Sequence, residues 1–119
     1  MSVDSQPSKT VLIVDDDEEI RHVLRLLCET EGFNVVGEAA NGVEAVPLAL
    51  HHQPDVVILD YMLPRLDGEG AAEILRTLTP ESKIVAFSAI LDRTPKWADA
   101  FLNKERIGDL APLLGTLIR

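Results

Sequence analysis

Only one cysteine, Cys28, occurs in 119 residues. A single thiol cannot build a disulfide framework, and it excludes zinc sites made from several thiolates. It agrees with a reducing cytoplasm, where this chain is expected to reside. Positive charge is also scarce: 11 basic residues stand against 20 acidic ones, for a net charge of -9. A domain this acidic repels phosphate backbones, and no basic stripe argues the other way, so nucleic acid is not expected as a direct partner. No apolar run reaches the roughly 18 residues that a membrane span needs. The opening segment, Met1 to Ser8, has no apolar centre and does not read as a secretory signal. Internal repeats and low-complexity tracts are absent as well.

What is present is a chain that is 46% hydrophobic, enough for one domain with one core. Residues 1–9 (MSVDSQPSK) read as a disordered lead-in and 10–119 as the domain. Thr10–Asp15 (TVLIVD) is apolar on both faces and ends in acid, which fits a strand covered by helices on both sides. Asp17, Glu18 and Glu19 open a helix where its dipole favours them. Gly32 stops that helix as a left-handed cap. Val35–Ala40 is a weaker strand, placed at an edge. Asn41 and Glu44 resemble a capping box for a helix over 42–52, in which Pro47 should produce a kink or shift the start. Asp55–Asp60 (DVVILD) is a third strand, followed by a loop from Tyr61 to Gly70 and a helix over Ala71–Leu78. Lys83–Ser88 is a fourth strand and Asp99–Asn103 a short fifth. Arg106–Ile118 reads as a final amphipathic helix. Alternating strands and helices imply a parallel sheet with right-handed crossovers.

In a parallel sheet the strand ends share one edge, and ligands bind beyond that edge. The first strand would bring Asp15 and Asp16 there, the third Asp60, the fourth Ser88, and the fifth leads into Lys104. Clustered carboxylates stay ionised only beside a cation or a positive side chain. An all-oxygen set with few protein ligands suits Mg²⁺. A metal, a lysine and a hydroxyl around one carboxylate can neutralise an incoming phosphoryl group, so Asp60 could act as a nucleophile and form an acyl phosphate.

These segments resemble the receiver domains of bacterial two-component response regulators. VLIVDDDEEIR resembles that family's first strand and acidic pair, and VVILDYMLPRLDG its phosphoacceptor strand and following loop. FSA at 87–89 resembles the hydroxyl motif, and AFLNK at 100–104 the aromatic-to-lysine motif. The resemblance covers about residues 9–118. It implies a flavodoxin-like doubly wound α/β fold with five parallel strands in the order 2-1-3-4-5. It implies Asp60 as phosphoacceptor, with Mg²⁺ held by Asp16 and Asp60, by Asp15 mainly through water, and by the backbone carbonyl of Met62. Lys104 would pair with Asp60 and then with a phosphoryl oxygen. Ser88 would swing towards the phosphoryl group and Phe101 would follow it inwards. The partners implied are a sensor histidine kinase or phosphotransfer protein as donor and a downstream protein as reader, with a homodimer formed on phosphorylation as a further expectation. The chain would not be an enzyme beyond its own phosphoryl transfer and slow autodephosphorylation.

Two departures from the family pattern stand out. Glu105 follows Lys104 where proline is usual, so the usual cis bond is not expected, since a non-proline cis peptide costs ~3 kcal/mol. Ser88 and Lys104 are also close in sequence, and Pro95 interrupts the segment between them. The fourth helix is therefore expected as one turn or an irregular loop. Trp97 in that segment reads either as an exposed interface anchor or as a ring packed over the loop. Ser88 could instead cap a loop, Phe101 could be a plain core aromatic, and Cys28 reads as a small buried hydrophobe. Adjacent His51 and His52 are expected on the surface, pointing apart. Two rival functions remain: an interaction module that works without phosphate, and a Mg²⁺-dependent phosphohydrolase. Such hydrolases carry a second acid two residues after the nucleophile, where this chain has Met62.

Overall fold

A computed structural model of the chain describes residues 9–118. The lead-in expected over 1–9 lies outside them except for Lys9, whose carbonyl accepts from the Asn34 amide at 2.8 Å. Strands β1 (Thr10–Val14), β2 (Asn34–Ala39), β3 (Val56–Asp60), β4 (Lys83–Ser88) and β5 (Ala100–Asn103) form one parallel sheet in the order β2-β1-β3-β4-β5. Around it lie α1 (Glu18–Thr30), α2 (Gly42–His52), α3 (Gly68–Leu78) and α4 (Leu110–Leu117). This is the flavodoxin-like doubly wound arrangement expected from the sequence.

The strands are apolar on both faces because each face meets helices. Val11, Ile13, Ile58 and Phe87 pack with Leu24 and Cys28 of α1 and with Leu110 and Leu114 of α4. Leu12, Val14, Val57 and Leu59 point the other way, onto alanines of α2 and α3. A period of two thus divides one apolar run between two core layers. Cys28 belongs to the first layer, and burial pushes its thiol pKa up to about 12, so it is inert. His51 and His52 are exposed as expected, but their rings meet edge-on at 4.7 Å rather than diverging.

Local chemistry sets the helix starts. Asp17 Oδ1 accepts from the Glu19 amide at 2.9 Å, Asn41 Oδ1 from Glu44 at 2.9 Å, and Asp67 Oδ1 from Gly70 at 2.8 Å. Glu44 reaches back to the Ala40 amide at 3.0 Å, one residue before the position a strict capping box uses. Gly32 takes φ +87° after α1. The start of α2 is not shifted by Pro47; the helix runs through it, with Pro47 and Val43 both exposed so that water can take the freed carbonyl. Helix α3 starts at Gly68, three residues before the expected Ala71.

As expected, an irregular loop replaces a full fourth helix: no helix joins β4 to β5, and residues 89–99 are turns, bends and irregular coil. A parallel crossover takes about a dozen residues, usually helical, and this segment with its Pro95 leaves no length for a helix. The last helix does not begin at Arg106. Lys104–Asp109 forms a 3-10 helix, Arg106 has non-helical dihedrals (φ -116°, ψ 36°), and α4 starts at Leu110. That start places Pro112 in the first turn, where its missing N–H is no loss; a start at Arg106 would have put it in the interior. The Lys104–Glu105 peptide is trans.

Helix α2 is seated on the β3–α3 loop through Gly42. Its amide donates to Leu66 O at 3.1 Å, and a Cβ there would lie 2.2 Å from that oxygen. Gly42→Ala is therefore expected to lower stability by about 1–3 kcal/mol, read as a reduced urea midpoint with an unchanged slope.

Candidate functional site

β1 and β3 are neighbours, and the order of strands reverses between them. Asp15 follows β1, and its amide is bonded to Ala39 O at 3.0 Å. Its backbone carbonyl accepts from the Arg21 guanidinium at 2.6 Å, and its Oδ1 from the Asp17 amide at 2.9 Å. Asp60 ends β3 and is 2% exposed; its Oδ1 accepts from the Met62 amide at 3.1 Å. Asp16 is exposed and lines an open cleft of about 410 Å³ with Tyr61, Met62, Pro64 and Asp67. One carboxylate oxygen from each of Asp15, Asp16 and Asp60 can be chosen so that all lie within 4.8 Å of one another.

Lys104, at the end of β5, reaches into this cluster. Its Nζ lies 3.0 Å from Asp15 Oδ2 and 3.1 Å from Asp60 Oδ2, and 5.2 Å from the centre of the Phe87 ring. One ammonium cannot neutralise two buried carboxylates. Burial, then the Asp15 charge, push the Asp60 pKa up to about 6, against the pull of Lys104. Burial alone would lower the Lys104 ammonium, but Asp15 and Asp60 more than reverse this and hold it above the ordinary lysine range. Asp15 Oδ2 is fully buried and, among the described residues, has no partner in hydrogen-bonding geometry beyond the ion pair. An all-oxygen donor set with an orphaned buried oxygen and a charge deficit fits a hard divalent cation.

Ser88 ends β4 on the same edge and is buried. Its Oγ accepts from the Ile90 and Leu91 amides at 3.0 and 3.3 Å, so in this state it caps the following turn. Phe101 is half-buried on β5 beside Ala86. Trp97 is not an exposed anchor. It packs on the second core layer and stacks on Tyr61, with ring centres 6.0 Å apart and planes 15° apart. Tyr61 was missed by sequence reasoning; it is the only tyrosine, next to Asp60, paired with the only tryptophan.

The response regulator receiver domain model matches residues 11–103. The chain belongs to this family. As a receiver domain it is 39% identical over 117 residues to the transcriptional regulatory protein PdtaR of Mycobacterium tuberculosis, covering 93% of this chain and 57% of that protein. It spans 32–38% of several other curated relatives, which are transcription regulators or response regulators. Among solved structures it is similar to the response regulator domain of Thermotoga maritima CheB, with TM-score 0.82, 26% identity and 95% of each chain covered. It is also similar to a chain of the CheX–CheY complex with BeF3 and magnesium from Borrelia burgdorferi (TM-score 0.80, 27% identity, 93% of this chain and 90% of that one). Among the described residues no helix of this receiver domain is long and apolar enough to cross a membrane.

Proposed function

We propose that this receiver domain is a phosphorylation-controlled switch of a two-component phosphorelay, with Asp60 as the phosphoacceptor. The observation that carries this reading is Lys104 Nζ, held about equally far from Asp15 and Asp60 at the mouth of a three-acid cluster. Asp16, Asp60 and the Met62 carbonyl would hold Mg²⁺, and Asp15 would help through water. The ion would supply charge neutralisation at the phosphoryl oxygens. A carboxylate oxygen of Asp60 attacks phosphorus in a phosphohistidine of a sensor kinase or phosphotransfer protein. The P–N bond breaks, the imidazole leaves, and an acyl phosphate forms on Asp60. Lys104 then moves its charge to a phosphoryl oxygen, and the Ser88 hydroxyl donates to another. The Borrelia relative, in complex with BeF3 and magnesium, supports this assignment by analogy. The reader is a downstream protein; the charge of -9 disfavours direct contact with nucleic acid. The cytoplasm suits such a relay.

The test is the intact mass of the protein after incubation with MgCl2 and acetyl phosphate. Wild type is expected to gain one phosphate and Asp60→Ala none. No adduct under any small donor would favour an interaction module that works without phosphate. Steady release of phosphate without an adduct would favour a hydrolase.

The lifetime of the adduct follows from the flanking side chains. Met62 and Ile90 are 65% and 66% exposed and carry no group that could orient an attacking water. The isolated phosphorylated domain is expected to keep its label well beyond seconds. Loss within seconds, followed by mass after removal of the donor, would contradict this.

A further inference from the structure

The backbone of Asp15 is held on both sides. Its amide donates to Ala39 O, at the end of β2, at 3.0 Å. Its carbonyl accepts from Arg21 Nη1 of α1 at 2.6 Å, a short charge-assisted bond. Arg21 Nε meanwhile donates to Glu38 Oε1 of β2 at 3.1 Å. A guanidinium is a rigid planar fork, so Glu38 sets the angle at which the other arm meets Asp15. Glu38 is itself fixed from its far side, where Arg25 Nε donates to Oε2 at 2.6 Å. Burial alone would raise the Glu38 carboxyl, but hydrogen bonds and charge from Arg25 and Arg21 hold it below the ordinary carboxylate range, so it stays an anion.

Helix α1 does not need Arg21 for its seat: Leu24 and Cys28 bury it in the core, and Asp17 caps its start. What Arg21 adds bears on Asp16. Asp16 is exposed, and among the described residues its carboxylate accepts no hydrogen bond and pairs with no cation. Nothing on the side chain itself aims it at Asp15 and Asp60. A peptide unit is planar, so the carbonyl of Asp15 and the Cα of Asp16 belong to one rigid plate. Holding Asp15 O fixes the plate from which the Asp16 side chain starts, and that side chain brings an oxygen within 4.8 Å of oxygens on Asp15 and Asp60.

We propose that Arg21 is a positioning residue for the cation site: through the Asp15 carbonyl it aims the Asp16 carboxylate, and Glu38 aims Arg21; this rests on the acid cluster taking Mg²⁺. The sign of the effect separates position from charge. A guanidinium beside a bound cation repels it, so an arginine acting by charge alone weakens Mg²⁺ binding, and its removal tightens it. An arginine that orients a ligand does the opposite, and losing such a group commonly costs about 10–100-fold in metal affinity.

The test is calorimetric titration of the full chain with MgCl2, with the fold of each variant checked by far-UV circular dichroism. Arg21→Gln keeps a helix-forming stem without the charge or the fork, and is expected to bind Mg²⁺ at least about tenfold more weakly than wild type. Arg21→Lys keeps the charge and a donor but not the fork, and is expected to fall between the two. Arg25→Gln leaves the Arg21–Asp15 contact in place and is expected to bind as wild type does. At saturating MgCl2 the rate of adduct formation from acetyl phosphate, followed by intact mass, is expected to return in Arg21→Gln to within about threefold of wild type, a loss of affinity rather than of turnover. Binding by Arg21→Gln as tight as wild type or tighter would overturn the proposal and leave the cation site standing; Arg21→Lys decides in the same way should the glutamine variant not fold. A rate still depressed at saturating MgCl2 would also overturn it, by placing the defect in the transfer step. Absence of Mg²⁺ binding by wild type at millimolar levels would remove the cation site and this role of Arg21 together.

Discussion

Replacing Lys104 with methionine is expected to destabilise the metal-free domain by about 3–5 kcal/mol, the range for breaking a buried ion pair from one side. Among the described residues, Lys104 Nζ is the only cation paired with these two carboxylates, whose side chains are 0% and 3% exposed. Asp15 Oδ2 has, among the described residues, no hydrogen bond to fall back on. Methionine keeps most of the apolar stem while removing the charge that sits over the Phe87 ring, so the loss is electrostatic rather than one of packing. The two acids can then respond only by taking up protons or by binding another cation. Urea unfolding at neutral pH should therefore show a large loss without metal and a much smaller one in millimolar Mg²⁺, because ligand binding to the folded state restores stability. An equal loss with and without Mg²⁺ would count against a cation site among Asp15, Asp16 and Asp60.

The legible parts of this molecule are those set by short stretches of chain. VLIV in β1 and VVIL in β3 are apolar at every position, which already requires helices on both faces of the sheet. The acid at the end of each run then places Asp15 and Asp60 on one edge. Lys104 was found in the same way, as the residue after a short apolar strand. The parts that stayed hidden depend on distant neighbours. The start of α3 was read three residues late because Gly68 and Gly70 weaken helical propensity. Gly68 is needed, since a Cβ there would lie 2.5 Å from Asp60 O, and Asp67 caps the helix regardless. The start of α4 was missed because periodicity alone ran back to Arg106, while Pro112 decided the matter. The hold of Ser88 on Ile90 and Leu91, and the meeting of Tyr61 with Trp97, 36 positions further along the chain, have no local signal at all.

The burial that readies Asp60 for chemistry also strains the fold, and Asp60→Asn should make that visible as a gain. Burial and the nearby Asp15 charge raise the folded-state pKa of Asp60 from the ordinary carboxylate value of 3.8 to about 6, so the folded protein binds that proton more tightly than the unfolded chain. The sign follows from linkage: this group's penalty is absent below about pH 4 and grows as pH rises to about 6, where it levels off. That difference corresponds to roughly 3 kcal/mol at neutral pH. Asparagine keeps the shape, removes the charge beside Asp15, and can donate to the Asp15 carboxylate. The metal-free variant is therefore expected to exceed wild type by up to roughly 3 kcal/mol at pH 7. The two should converge near pH 4; other acids titrate in both proteins and cancel in the difference. Adding Mg²⁺ at pH 7 should shrink or reverse the gap, since only wild type retains the full set of charged ligands. The measurement is a pair of urea-midpoint profiles against pH, with and without Mg²⁺. A wild type more stable than the variant at pH 7 without metal would mean that Lys104 already compensates the Asp60 charge in full.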